Sequence, residues 1–286
     1  MFKKLLKYDM KAVWRIWWIL AVSVLGLSVV GSLVLRFVIE TIDREDAFVI
    51  FTAIAMLFLV VCFIAIISSV VVTPLLVYYR FYKHFYSDEG YLTFTLPVSR
   101  KSLLLSKTLN ALIWEVAHVL LLIVCVFIFL LIAPPVGESG RLFNTDILVS
   151  LFDGVAQAWD AIGAWLIVYA LEVIVLLAGV FVFSSSLIHF CITVGAVVAK
   201  KYKLLAAIGI YYLVNMLLSF VLQIVGIFGL VSFVEGFGYK LEQMGEFAKT
   251  PAIALALLVV CLMVTSGAII MFCMTLGKIE RKLNLA

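Results

Sequence analysis

The sequence predicts an all-α polytopic membrane protein: six transmembrane helices with an N-terminal amphipathic interfacial helix. Three observations predict it. Hydrophobic residues make up 66% of the 286-residue chain and charged ones only 13%, about half the ~25% usual in soluble domains. Several apolar runs exceed the ~20 residues that a helix needs to cross a bilayer. The short alternating segments of a transmembrane β-barrel are absent.

The first residues, MFKKLLKYDMKAVWRIWW, place Phe2, Leu5, Leu6, Met10, Val13 and Trp17 at helical spacing, with Lys4, Lys7, Lys11 and Arg15 opposite. Residues 1–13 therefore read as an amphipathic helix lying in the membrane interface. Asp9 falls on the apolar side, where it is expected to meet protein. The apolar run that follows is too long for a cleavable signal peptide. Spans are expected at about 14–39, 47–79, 105–133, 162–198, 204–234 and 251–276, with a cytoplasmic segment over 80–104. The second span is long enough to reach ~50 Å and to project beyond a ~30 Å hydrocarbon core.

Lys and Arg set the orientation. Lys3 to Arg15, Arg80, Lys83, Arg100, Lys101, Lys107, Lys200, Lys201, Lys203 and Lys278 to Lys282 all fall on one side, whereas acids such as Glu138, Asp153 and Glu242 fall on the other. Both termini are expected in the cytoplasm, with 134–161 and 235–250 outside. In the first outer segment, Pro134-Pro135 ends a span and Asn144-Thr145 is placed to cap a short helix. Ile147, Leu148, Leu151, Phe152, Val155 and Trp159 form its apolar stripe, and Asp146, Asp153, Gln157 and Asp160 its wet side. It is expected to rest on the outer leaflet.

Catalytic chemistry is not legible. The chain has no G-x-x-x-x-G-K-[S/T] phosphate loop and no H-E-x-x-H, so it is not expected to be an enzyme by itself. Its five isolated cysteines form no C-x-x-C pair and read as small buried hydrophobes. No metal site and no nucleic-acid partner is expected. Ser184-Ser185-Ser186 and His189 lack the orienting acid of a hydrolase, and the hydroxyls read as bonding their own helix carbonyls. Intramembrane ionisable groups are functional candidates by default. Glu115 and His118 are one turn apart and read as a local pair, while Glu172 lies near the midplane and needs a partner, a proton or water. Tyr211, Asn215, Ser219 and Gln223 recur every fourth residue and are expected to face protein or water, as interhelical glue or the wall of a path.

The stretch Tyr78–Asn110 resembles the cytoplasmic loop of ABC-2 type transporter permeases. The matching residues are Glu89-Gly90, then YLTFTL, Pro97-Val98-Ser99-Arg100, and Leu104-Leu105-Ser106-Lys107. The starting residues and the phrase RFYKHFYSDEGYLTFTLPVS are similar to permeases of Gram-positive anaerobes. The chain departs from the usual pattern in having no basic residue directly before Asp88-Glu89. The resemblance implies a type V exporter-like membrane subunit in the bacterial plasma membrane, pairing with a second copy or a sister permease. Each would sit on a separate ATP-binding subunit that holds the ATP and magnesium; this chain itself would bind no cofactor. It implies a coupling helix, with Asp88, Glu89, Gly90, Tyr91, Pro97, Ser99 and Arg100 at the ATPase contact. It implies a translocation path lined by Tyr211, Asn215, Ser219 and Gln223, with Glu172 as a further candidate, for an amphiphilic substrate such as an antimicrobial peptide, a lipid or a drug. The competing readings are an ion-coupled secondary transporter, for which the expected inverted repeats are missing, and a non-transporting scaffold or sensor.

Overall fold

The computed structural model describes residues 2–42, 49–87, 89–133, 146–199, 201–233 and 246–282. Eight helices are found among them: α1 (Phe2–Ile42), α2 (Val49–Tyr86), α3 (Glu89–Phe94), α4 (Arg100–Ile132), α5 (Asp146–Ile162), α6 (Trp165–Val198), α7 (Lys203–Phe233) and α8 (Glu246–Lys282). No strand occurs among the described residues. Six of the helices, α1, α2, α4, α6, α7 and α8, are long and apolar enough to cross a membrane. The Asn144-Thr145 cap and the segment 235–245 lie outside the described residues.

The chain divides into two compact units, and the division passes through α2, α4 and α5. One holds Lys3–Tyr79 and Leu109–Gln157; the other holds Arg80–Thr108 and the chain from Ala158 on. In the first unit, Trp17 packs on Trp114 with ring centroids 5.1 Å apart, and Phe63 stacks on Phe129 at 5.3 Å. A Cβ added at Gly31 would meet Phe129 at 3.2 Å and Cys62 at 3.5 Å, so α1, α2 and α4 converge at that level.

In the second unit, α6 packs against α7 and α8. In that contact Gly179 of α6 lies against Val264 and Thr265 of α8, and Gly267 of α8 against Phe183 of α6; Ala254, Cys261, Ala268 and Thr275 of α8 are small and buried. Gly195 on α6 has Ala207 of α7 directly against it, and an added Cβ would lie 2.5 Å from the Ala207 backbone. Small residues let membrane helices approach closely, where dispersion rather than the hydrophobic effect holds them together.

The radial pattern is that of a protein dissolved in lipid. Ser28, Ser32, Ser69, Thr73, Ser185 and Thr193 are buried, whereas Ile54, Leu57, Ile64, Leu171, Ile174 and Leu262 are exposed. Buried hydroxyls are largely satisfied along their own helices: Ser28 donates to the Leu25 carbonyl, Ser32 to Val29, and Thr275 to Met271.

Four sequence expectations change. Residues 2–13 do not form a separate helix; they are the start of the 41-residue α1. Val13 and Trp17 of the expected lipid-facing stripe are buried, together with Asp9, Ala21, Val24 and Ser28 at three- and four-residue spacing. That face is a packing seam, which accounts for an acid within it. The segment between α2 and α4 is shorter than 80–104, because α2 runs on to Tyr86 and α4 begins at Arg100. Phe81, Phe85 and Tyr86 continue the buried stripe of α2 beyond its apolar run. Finally, Cys273 is exposed, unlike the other four cysteines.

Candidate functional site

The turn joining α2 to α4 is built around α3. Six residues are too few for a helix to persist by its own hydrogen bonds, so its anchors decide its position. At its start, the Glu89 Oε1 accepts a 2.8 Å bond from Lys83 Nζ on α2, and Oε2 lies 3.6 Å from His84 Nε2. The Lys83 ammonium holds the Glu89 carboxyl below the ordinary carboxylate range. Gly90 donates its N–H to the Ser87 carbonyl at 2.8 Å, and its Cα is so close to the end of α2 that a Cβ would lie 2.6 Å from the Phe85 oxygen. At the other end of α3, Phe94 meets Phe85 edge-on at 5.4 Å.

The exit from α3 is fixed in turn by Ser99 and Arg100. The Ser99 Oγ accepts from the Ser102 N–H at 3.3 Å, capping α4. The Arg100 guanidinium donates 3.0 Å bonds to the carbonyls of Ile279 and Glu280 near the end of α8, and lies 5.8 Å from the Phe94 ring centroid. Carbonyls in the last turn have no helical partner and carry the negative end of the helix dipole, so a cation there is favoured. Lys203 does the same for α2, donating to the Tyr86 carbonyl at 3.3 Å.

Beneath α3 the polar contacts run inward. Lys107 Nζ contacts His84 Nδ1 at 2.9 Å. An ammonium can only donate, so Nδ1 presents its lone pair and the imidazole proton sits on Nε2, facing Glu89. Tyr86 Oη and Thr193 Oγ1 are 2.7 Å apart. Because Thr193 donates to the His189 carbonyl, it accepts from Tyr86. His189 is buried with its ring edge-on to Phe81, 4.2 Å between centroids.

These positions redistribute the residues singled out from sequence. Gly90, Glu89, Ser99 and Arg100 are brought together, but as internal clamps of the segment. Glu89 and Arg100, expected at a partner's surface, bond their own chain because Lys83 and the α8 carbonyls are within reach. Asp88 lies outside the described residues. Tyr91 faces outward at 65% exposure and Pro97 is also exposed. Sequence reasoning missed Leu92, at 67% exposure, and Leu96. The available signal was the hexamer YLTFTL itself, in which Phe94 is the only aromatic spent on packing.

The α7 stripe does not hold one face. Tyr211 and Asn215 are half-buried, but Ser219 and Gln223 are exposed. A step of four residues overshoots a full turn by ~40°, so the line drifts by ~120° between Tyr211 and Gln223. Asn215 also needs no second helix for its amide, since Nδ2 donates to the Tyr211 carbonyl at 3.0 Å. Glu172 stands apart from the stripe, on the part of α6 whose carbonyl accepts from Cys261 of α8. Its Oε2 is buried and has no hydrogen-bond partner among the described residues.

Glu115 and His118 do not pair with each other. Tyr78 donates to Glu115 Oε1 at 2.5 Å. The His118 ring sits between Ser69 at 3.4 Å and Thr73 at 3.1 Å. The Ser69 proton goes to the Ile66 carbonyl, so Ser69 accepts from Nε2, and Thr73 donates to Nδ1. A neutral histidine thus ties α4 to α2.

Fold and site together define a polytopic helical membrane protein with a folded, clamped turn between its second and third spanning helices. The chain matches no family model, no curated protein and no solved structure.

Proposed function

We propose that this chain is the permease subunit of an ATP-driven transporter of the ABC-2 type, and that α3 is its coupling helix. One observation carries the reading. In the resemblance motif Glu89-Gly90…Ser99-Arg100, the first pair anchors α3 to α2 and the second caps α4 and ties its start to α8 and the Phe94 ring. The outward side of α3 is left to Tyr91 and Leu92. A short helix clamped to long helices passes a push on its exposed face to those helices instead of absorbing it. That is what coupling to a separate ATP-binding subunit requires, with ATP and magnesium on that subunit. In this reading α3 and both termini are cytoplasmic in a bacterial plasma membrane. Two permease copies, or this chain and a sister, enclose the path of an amphiphilic substrate moving outward. Ser219 and Gln223, turned away from the packed side of α7, are then available to line that path.

The test is co-purification of the ATP-binding subunit with wild-type chain and with a Tyr91→Asp, Leu92→Asp variant. Both side chains are exposed, so the variant is expected to keep its thermal stability and to lose the subunit. Retained binding together with unimpaired substrate-stimulated ATP hydrolysis would remove α3 from the contact and the reading with it.

A further inference from the structure

We propose that the first four turns of α1 form a binding surface for anionic phospholipid. Lys3, Lys4, Lys7, Lys11 and Arg15 are all exposed. At ~100° per residue they fall within an arc of ~120°. That arc is centred opposite Asp9, with Val13 ~140° from its centre, and both are buried. Asp9 is the sole acid in the first 39 residues, and it is buried on the far face at 6% exposure. Five cations therefore point away from the protein with no acid of the same helix face among them.

The continuation of the arc identifies the ligand as a lipid rather than a soluble anion. Trp18, Val22 and Val29 follow Lys11 and Arg15 along the same line, and all three are exposed. Cations followed directly by apolar side chains match a molecule with a phosphate at one end and a hydrocarbon chain at the other. The exposed rings of Trp14 and Trp18 mark the level where water gives way to lipid. Because α1 is one helix of 41 residues, ~60 Å long, it extends well beyond a ~30 Å core. Arg15 and Lys11 then lie at phosphate level. Lys3 and Lys4 stand ~10–18 Å further out, beyond a Debye length of ~8 Å. The contributions are accordingly graded along the helix, which a helix lying flat in the interface would not produce.

The experiment reconstitutes the full chain in nanodiscs of phosphatidylcholine and phosphatidylglycerol in equal amounts and counts the lipids retained by native mass spectrometry. Wild type is expected to retain phosphatidylglycerol in preference. Each neutralised cation at phosphate level is expected to lower that preference about fivefold, so Lys11→Gln, Arg15→Gln should largely abolish it. Lys3→Gln, Lys4→Gln should lower it less. Lys11→Arg, Arg15→Lys keeps the charge and should keep the preference, which separates loss of charge from loss of fold. Lys101→Gln, Lys201→Gln, exposed elsewhere, should leave it unchanged. Equal retention of the two lipids by wild type, or an undiminished preference in Lys11→Gln, Arg15→Gln, would overturn the proposal. So would complete loss of the preference on adding inorganic phosphate, which would make the site one for free anions.

Discussion

At Gly90 the backbone of α3 rests on the last carbonyls of α2, leaving no room for a side chain. Gly90→Ala would put a methyl group 2.6 Å from the Phe85 oxygen, a backbone atom that cannot swing away. The expected result is a displaced α3 and a destabilisation of about 1–3 kcal/mol, read as a lower Tm in detergent. The Glu89 carboxylate works by charge instead. Its native pKa is lowered, chiefly by the hydrogen bond from Lys83. Its contribution to holding α3 is therefore complete above the ordinary glutamate value of 4.5 and is lost as pH falls through the lowered native one. Hydrogen exchange over residues 89–99 should show α3 loosening at lower pH in wild type than in Lys83→Met. Coincident midpoints would mean that the ion pair does not hold the helix. The pair is half exposed, so global stability should change little.

Among the elements, the contact between α2 and α4 depends on polar side chains within a spanning region. Tyr78→Phe leaves both oxygens of Glu115 without a hydrogen-bond partner among the described residues, since Oε2 already has none there. The expected cost is about 1–2 kcal/mol. Tyr78→Phe combined with Glu115→Leu should recover much of it, because removing both partners avoids an unpaired buried carboxyl. Thermal stability of the four chains of this double-mutant cycle measures the coupling, and strictly additive losses would show that the bond carries none. The contact of α6 with α7 includes a close backbone approach at Gly195. Gly195→Val should separate the helices at Ala207, where an added Cβ has 2.5 Å of room, and should lower Tm more than Gly209→Val, which meets nothing within 4 Å.

For the whole molecule, the charge asymmetry makes a prediction about sidedness. In a cysteine-free chain, Gln157→Cys on α5 should react with an impermeant thiol reagent in intact cells. Lys101→Cys at the start of α4 should react only after permeabilisation. Both positions are exposed, so a reversed pattern would invert the protein in the membrane. α5 bears on the same question. Both its apolar residues, such as Phe152 and Val155, and its acids Asp153 and Asp160 are exposed, which suits a helix resting at a lipid surface.

The sequence by itself determined the class of molecule. Long apolar runs have one low-energy solution in a bilayer, a helix that satisfies its own backbone, and all six expected spans correspond to helices long enough to cross. The short helix α5 was also legible, from a 3.6-residue stripe, and α3 was expected from the family resemblance. Tertiary structure decided what each polar residue does, because that depends on which helix lies alongside. Glu89 and Arg100 have the composition of a partner contact, yet they also bond within the chain, to Lys83 and to the carbonyls of Ile279 and Glu280. Glu115 and His118 are neighbours in sequence but turn to Tyr78, Ser69 and Thr73. A four-residue repeat suggested one polar face on α7, and the 40° drift of each step carried Ser219 and Gln223 off it. Periodicity along one helix fixes which residues share a side; only the packing of helices fixes what that side meets.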